Sequence, residues 1–248
     1  MKNTHKLCGA ALLAVIGFAV AAPSATQADT SVKGDGIVEF EKGTTKPVTP
    51  PDTDGPVLPY PPANPDPSDL KIVAVTPLDF EKHAILADGS SQDYDVKAFN
   101  DANFGDMENF VEFIDNRVDG TDNTYKIEAE MTQQFTQGSS VLTGSTLTYK
   151  NVRVATNGTD GENALAPLGV EATPDALELN QKVLFLNHTD ATSGRGFGQY
   201  KLAFGKRDIA ADAEGSAQKS VTLTVPGTVA KKVGVYKAEI TWSITAAP

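Results

Sequence analysis

Tyr236-Lys-Ala-Glu-Ile-Thr-Trp-Ser-Ile-Thr245 is the stretch on which the fold turns. Tyr236, Ala238, Ile240, Trp242 and Ile244 share one parity, and Lys237, Glu239, Thr241 and Ser243 share the other. A period of two is the mark of a strand with one face in a core and one in water. Tyr125-Lys-Ile-Glu-Ala-Glu-Met-Thr132 repeats it, with Tyr125, Ile127, Ala129 and Met131 opposite Lys126, Glu128, Glu130 and Thr132.

Outward from these two segments the chain shows no long 3.6-residue apolar period. It shows short runs rich in Val, Ile, Thr, Phe and Tyr, broken by Gly, Asn and Asp. The runs are 70–76, 109–115, 124–132, 140–155, 182–187, 199–204, 220–225 and 233–245. The pattern predicts an all-β chain. A single sheet would leave its apolar face bare, so the expected architecture is an antiparallel β-sandwich or flattened barrel. Residues 160–169 and 210–218 read as loops, the second with room for a helical turn.

Nine of the 15 prolines fall between Pro47 and Pro67. Proline lacks the backbone donor and fixes φ, so this stretch reads as an extended spacer. Before it, Gly36-Ile-Val-Glu-Phe-Glu-Lys42 has strand-forming residues. It reads either as an added strand at a sheet edge or as a disordered leader. Earlier still, Lys2 and Lys6 precede an apolar run and the small residues of Thr26-Gln-Ala28, the pattern of an export signal cleaved after Ala28. The apolar run falls short of the roughly 20 residues needed to span a bilayer. The expected division is signal, residues 1–28; leader strand and Pro-rich spacer, residues 29–69; β domain, residues 70–248.

Of the 248 residues, 21 are Lys or Arg, 32 are Asp or Glu and one is Cys. Loss of residues 1–28 removes Lys2, Lys6 and Cys8, leaving a charge of −13 and no thiol. Disulfide, thiolate-metal and Cys-nucleophile chemistry then drop out. An acid excess of this size also argues against nucleic acid, whose binding depends on neutralising phosphates. His83 and His188 are too few for a His-rich metal site. The acidity is uneven: residues 29–194 carry −17 and residues 195–248 carry +4.

Glu112, between Phe110 and Phe113, is the one carboxylate whose neighbours suggest a raised pKa, set against a solvated strand face. Asp115-Asn-Arg-Val-Asp-Gly-Thr-Asp-Asn123 fails as an EF-hand, because Arg117 and Lys126 stand where oxygen ligands are needed. A looser calcium site at Asp119, Asp122 and Asn123 competes with a plain polar turn. Gly194-Arg-Gly-Phe-Gly198 precedes a strand-like run, so it is a turn and no dinucleotide fingerprint. Asn187-His-Thr fits the glycosylation pattern, which is too common to weigh. No cofactor and no enzymatic activity are expected.

The segment Tyr236–Pro248 resembles the C-terminal signature of WxL-domain surface proteins of Gram-positive bacteria. Other parts match in order: Ile37-Val-Glu-Phe40, the Pro/Asp spacer, Leu78-Asp-Phe80, Gly194-Arg-Gly-Phe-Gly198 and Val221-Thr-Leu-Thr-Val-Pro226. The chain departs from the family at the upstream Trp-x-Leu, where Tyr125-Lys-Ile127 stands, and at Ile244, which follows the single Trp242. The resemblance implies a secreted, extracellular protein held non-covalently on the cell wall, with peptidoglycan or an associated wall polymer as ligand. It also implies, for some members, association with a WxL-interacting surface protein.

Two readings of the motif stay open. The spacing of Tyr236, Ile240, Trp242, Ile244, Tyr125 and Ile127 is that of a core face, yet Trp and Tyr also stack on sugars. An anionic wall repels a chain of −13 unless a local basic surface or bridging divalent cations intervene; for the surface, Lys201, Lys206, Arg207, Lys231, Lys232 and Lys237 are the candidates. The leader gives a different reading, donation of a strand to another chain's sheet.

Overall fold

The computed structural model describes residues 30–41, 61–86, 89–101, 105–117, 123–156, 165–191 and 194–247. The expected signal, the spacer up to Tyr60, Asp119 and Asp122 lie outside the described residues.

Each of the eight predicted runs contains at least one strand. The strands are β1 (Thr30–Glu41), β2 (Leu70–Val75), β3 (Leu78–Ala84), β4 (Gln92–Asp95), β5 (Phe99–Asp101), β6 (Gly105–Met107), β7 (Asn109–Asp115) and β8 (Tyr125–Gln137). They continue with β9 (Ser140–Val141), β10 (Thr146–Tyr149), β11 (Val152–Thr156), β12 (Lys182–His188), β13 (Gly198–Phe204), β14 (Val221–Val225) and β15 (Gly234–Ala246). A single turn of 3-10 helix, Ala217–Lys219, ends the loop expected at 210–218.

The largest sheet runs β12-β8-β15-β1-β3, with β9 beside β8. Facing it are a four-stranded sheet, β11-β13-β7-β2, and a three-stranded sheet, β10-β14-β4; β5 and β6 form a separate hairpin. Among the described residues no barrel closes, and the architecture is a sandwich. Among the described strands all ladders are antiparallel except β1 with β3. The exception follows from the path. The chain leaves β1, crosses to the opposite sheet as β2, turns at Thr76-Pro77 and returns as β3, so β3 runs in the direction of β1. At that corner the Thr76 hydroxyl accepts from the Phe110 N–H at 2.9 Å, anchoring a turn whose proline has no donor of its own.

The leader strand is interior, not at an edge. It pairs with β15 from Thr30↔Ile244 to Phe40↔Gly234 and with β3 on its other side. Over residues 36–41 both hydrogen-bonding edges of β1 are therefore used within this chain, and the edge toward β15 is used from Thr30 to Phe40, which counts against a strand offered to another chain. Two of its inward positions, Gly34 and Gly36, lack a side chain for a reason. A Cβ on Gly34 would lie 2.9 Å from Val75 Cγ1, and one on Gly36 2.9 Å from Phe135 Cζ. The sandwich closes over β1 because those two side chains are missing.

The alternation of β8 breaks after Met131. Gln134 and Phe135 are both buried, and the register against β15 shifts around Glu239. A bulge of this kind bends the strand and re-aims its side chains.

Candidate functional site

The residues expected to bind meet in the middle of the sandwich. Ile244 pairs with Ile127, Trp242 with Ala129 and Ala246 with Tyr125, so the two aromatic-x-aliphatic segments are neighbours on β15 and β8. Trp242 is 2% exposed, and Tyr125, Ile127, Tyr236 and Ile244 are equally buried. The Trp242 ring lies 4.6 Å from Phe185 of β12, 5.9 Å from Phe204 of β13 and 6.0 Å from Tyr149 of β10, centroid to centroid. One ring thus touches side chains of all three main sheets. With no exposed ring face, the sugar-stacking reading of Trp242 and Tyr125 is corrected: the motif is the keystone of the core.

Burial also pushes the Tyr149 phenol far above its ordinary pKa, and burial followed by the Asp115 carboxylate does the same to Tyr125. Both stay neutral in the folded chain, whereas an unfolded tyrosine ionises near pH 10. The stability they contribute is complete below about pH 10 and declines as pH rises beyond it. Urea midpoints at pH 8 and 11 are expected to show this loss, and Tyr149→Phe to show a shallower one. Equal midpoints at both pH values would contradict the assignment.

At one end of the sandwich, buried polar groups hold the Gly194-Arg-Gly-Phe-Gly198 turn. The Tyr125 hydroxyl donates to Gly196 C=O at 3.0 Å. His188 is fully buried; its Nδ1 accepts the Leu168 N–H at 3.2 Å and its Nε2 faces Arg195 C=O at 3.2 Å. Asn123 donates to the same Arg195 carbonyl, and the Tyr200 hydroxyl lies 2.9 Å from Phe197 C=O and from Leu165 C=O. Gly196 has φ +85°, and a Cβ there would come within 2.6 Å of the His188 ring. Only glycine fits this turn. Exposed Leu165 and Leu168 stand at its rim.

His188, Asn123 and Tyr200 were not legible as partners of this turn. His188 reads as part of an exposed glycosylation pattern, and its burial follows from an irregularity in β12 that puts Phe185, Leu186 and His188 all inside. The glycines two apart were the available signal.

Asp115 is fully buried and bound in two-point fashion by Arg117, Nε to Oδ1 at 2.9 Å and Nη2 to Oδ2 at 2.8 Å. Asn123 is committed to Arg195. Among the described residues no group of three metal-capable side chains comes together. Glu112 accepts from Gln199 Nε2 at 2.7 Å.

The basic candidates are dispersed. Lys201, on β13, pairs in register with Glu112 and lies 4.3 Å from the Phe110 ring centroid. Lys206 and Arg207 are exposed in the turn after β13, and Lys231 and Lys232 lie between β14 and β15, where the Lys232 N–H donates to the Tyr236 hydroxyl. Lys237 is exposed on the outer face of β15.

An open groove of about 330 Å³ lies at the β8–β9 corner. It is lined by Gln134, Val141, Thr143, Gly144, Ser145, Thr146, Glu178 and Leu179. None of these was singled out from sequence, because the groove is made by a bulge and two turns that carry no periodic signal.

A family model described as WxL domain surface cell wall-binding matches residues 27–248. No curated protein matches the chain. The match spans every described strand, β1 included.

Proposed function

The chain belongs to the WxL family of surface cell-wall-binding domains, and from that premise we propose that it is exported and attaches non-covalently to the peptidoglycan of a Gram-positive wall, without catalysis. The observation that carries this is the family match along the whole sandwich. The state of the titratable groups agrees with binding in place of chemistry. Both ring nitrogens of His188 face backbone groups, Asp115 is tied to Arg117, and Glu112 is held by Gln199. None of these is poised beside an open cleft as a general acid or base.

Electrostatics narrows the ligand. A domain of −13, with its basic residues scattered over three segments, has little to attract an anionic wall polymer. Attachment then rests on neutral glycan, and salt, which screens the repulsion, favours it. Purified protein incubated with wall sacculi is expected to sediment with them, as well or better at high salt and undiminished by chelator. Failure to sediment under every condition would falsify the wall reading and leave a WxL-interacting surface protein as the partner to seek.

A further inference from the structure

We propose that the groove at the β8–β9 corner is a subsite for an acetamido sugar of a neutral glycan strand; this rests on the wall-binding reading and names the ligand chemistry within it. Both walls of the groove are fixed to the sheets. On one side the β8 bulge turns Gln134 inward, where Nε2 donates to Ser145 C=O and Oε1 accepts the Phe135 N–H, each at 2.9 Å. The turn is closed by Leu142 N–H to Phe135 C=O at 2.9 Å. On the other side Leu177 exchanges backbone bonds with Leu147, and the Asn180 N–H donates to Met131 C=O at 2.9 Å. A cleft held in this way is preformed, and its volume lies at the small end of ligand pockets, about 300–1,000 Å³.

Its chemistry is specific. Val141 and Leu179, 42% and 41% exposed, place two aliphatic side chains at the lining of an otherwise polar turn. Ser145 is 1% exposed and its hydroxyl has no partner among the described residues. A buried hydroxyl left unpaired is uncommon and unfavourable, and rotation of the Ser145 side chain toward the groove that Ser145 lines would give it a partner in a seated group. Glu178 is the only ionisable lining residue; one of its oxygens accepts from Gln181 Nε2 at 3.0 Å, and the lining holds no cation. An anionic polymer is therefore disfavoured. An acetamido group presents a methyl for Val141 and Leu179, an N–H for the Glu178 carboxylate and a carbonyl for the Ser145 hydroxyl, while the ring hydroxyls meet Thr143 and Thr146. From Thr146 the outward face continues through Thr148, Thr222 and Thr224, with Asp93 accepting from Thr224 at 2.7 Å and Asp95 from Thr222 at 3.0 Å. A polar track of this kind suits further sugar units.

The test titrates the full chain with triacetylchitotriose and with cellotriose, which lacks the acetamido group, and repeats the sacculus sedimentation. Saturable binding of the first sugar, with the second weaker by at least about tenfold, is expected. Thr143→Trp places bulk in the groove from an exposed position and should abolish binding with an unchanged thermal midpoint. Ser145→Ala removes an unpaired hydroxyl, so it should keep or raise the midpoint while weakening the sugar severalfold; a purely structural serine would not separate the two. Absence of saturable binding, equal affinity for cellotriose, or unaltered binding by Thr143→Trp overturns the assignment. If wild type and Thr143→Trp sediment equally with sacculi, the groove proposal falls and the wall reading stands; if wild type does not sediment, the wall reading itself falls.

Discussion

Trp242→Ala is expected to lower the stability of the domain by about 3–5 kcal/mol, the range for emptying a large buried aromatic site. In a chain of this size that is a fall in thermal midpoint of roughly 6–20 °C. The effect sits at the upper end for a structural reason. Trp242 packs edge-on against Phe185 and Tyr149 and nearly parallel to Phe204, at 27° between ring planes, so its removal loosens contacts in three sheets at once. Its partners come from β10, β12 and β13, whose backbones are fixed by their own ladders, so the cavity has little scope to collapse. Trp242→Phe keeps most of the ring volume and should lose less than half as much. Because Trp242 is the only tryptophan, its emission also reports on its burial: blue-shifted and poorly quenched by acrylamide in the native protein. A midpoint within about 2 °C of wild type, or full quencher access, would return Trp242 to the surface.

The keystone was half legible in the sequence. Alternation from Tyr236 to Ile244 and from Tyr125 to Met131 identified the buried parity, because one face in water and one in a core leaves a period of two. The same pattern is silent on which strands meet. That Ile127 and Ile244 are register partners depends on pairing across more than a hundred residues. Strands without alternation were harder still. β4, β5 and β6 are three or four residues long, and their polar members, Gln92, Asp93, Asn100 and Asp106, read as loop. The run at 140–155 divides into three strands because Gly144, at φ +79°, and Asn151, at φ +52°, turn the chain between them. For the site, local composition named the Gly194–Gly198 turn but not the side chains that clamp it. Asn123 reaches it across 72 residues of chain, while His188 and Tyr200 stand only seven and three residues from the carbonyls they face, with no spacing that marks them. The groove left no trace, since a bulge is a departure from periodicity and Ser145 looks like any turn serine until its hydroxyl is found unpaired.

Removal of residues 30–41 is expected to unfold the domain, although from sequence that segment reads as a detachable leader. Three losses add together. The β1 backbone is paired with β15 from Thr30 to Phe40 and with β3 over residues 36–41, so deletion strips two ladders and leaves two new strand edges open. At about 1 kcal/mol net per backbone hydrogen bond, the β15 ladder alone is comparable with the whole stability of a domain, about 5–15 kcal/mol. Val38, fully buried, leaves the core, and the space over Gly34 and Gly36 that Val75 and Phe135 fill becomes open to water. Trp242 loses its register partner Val32, so the keystone is exposed along with the edge. The truncated chain is expected to show no cooperative thermal transition, red-shifted Trp242 emission and rapid proteolysis, whereas a chain beginning at Asp29 behaves as wild type. A synthetic peptide of residues 30–41 supplied in trans should restore protection, because the vacated slot offers main-chain bonds on both sides and admits a strand in one register only. A truncated chain that retains its cooperative transition within a few degrees of wild type would mean that β1 rests on the sheet without supporting it.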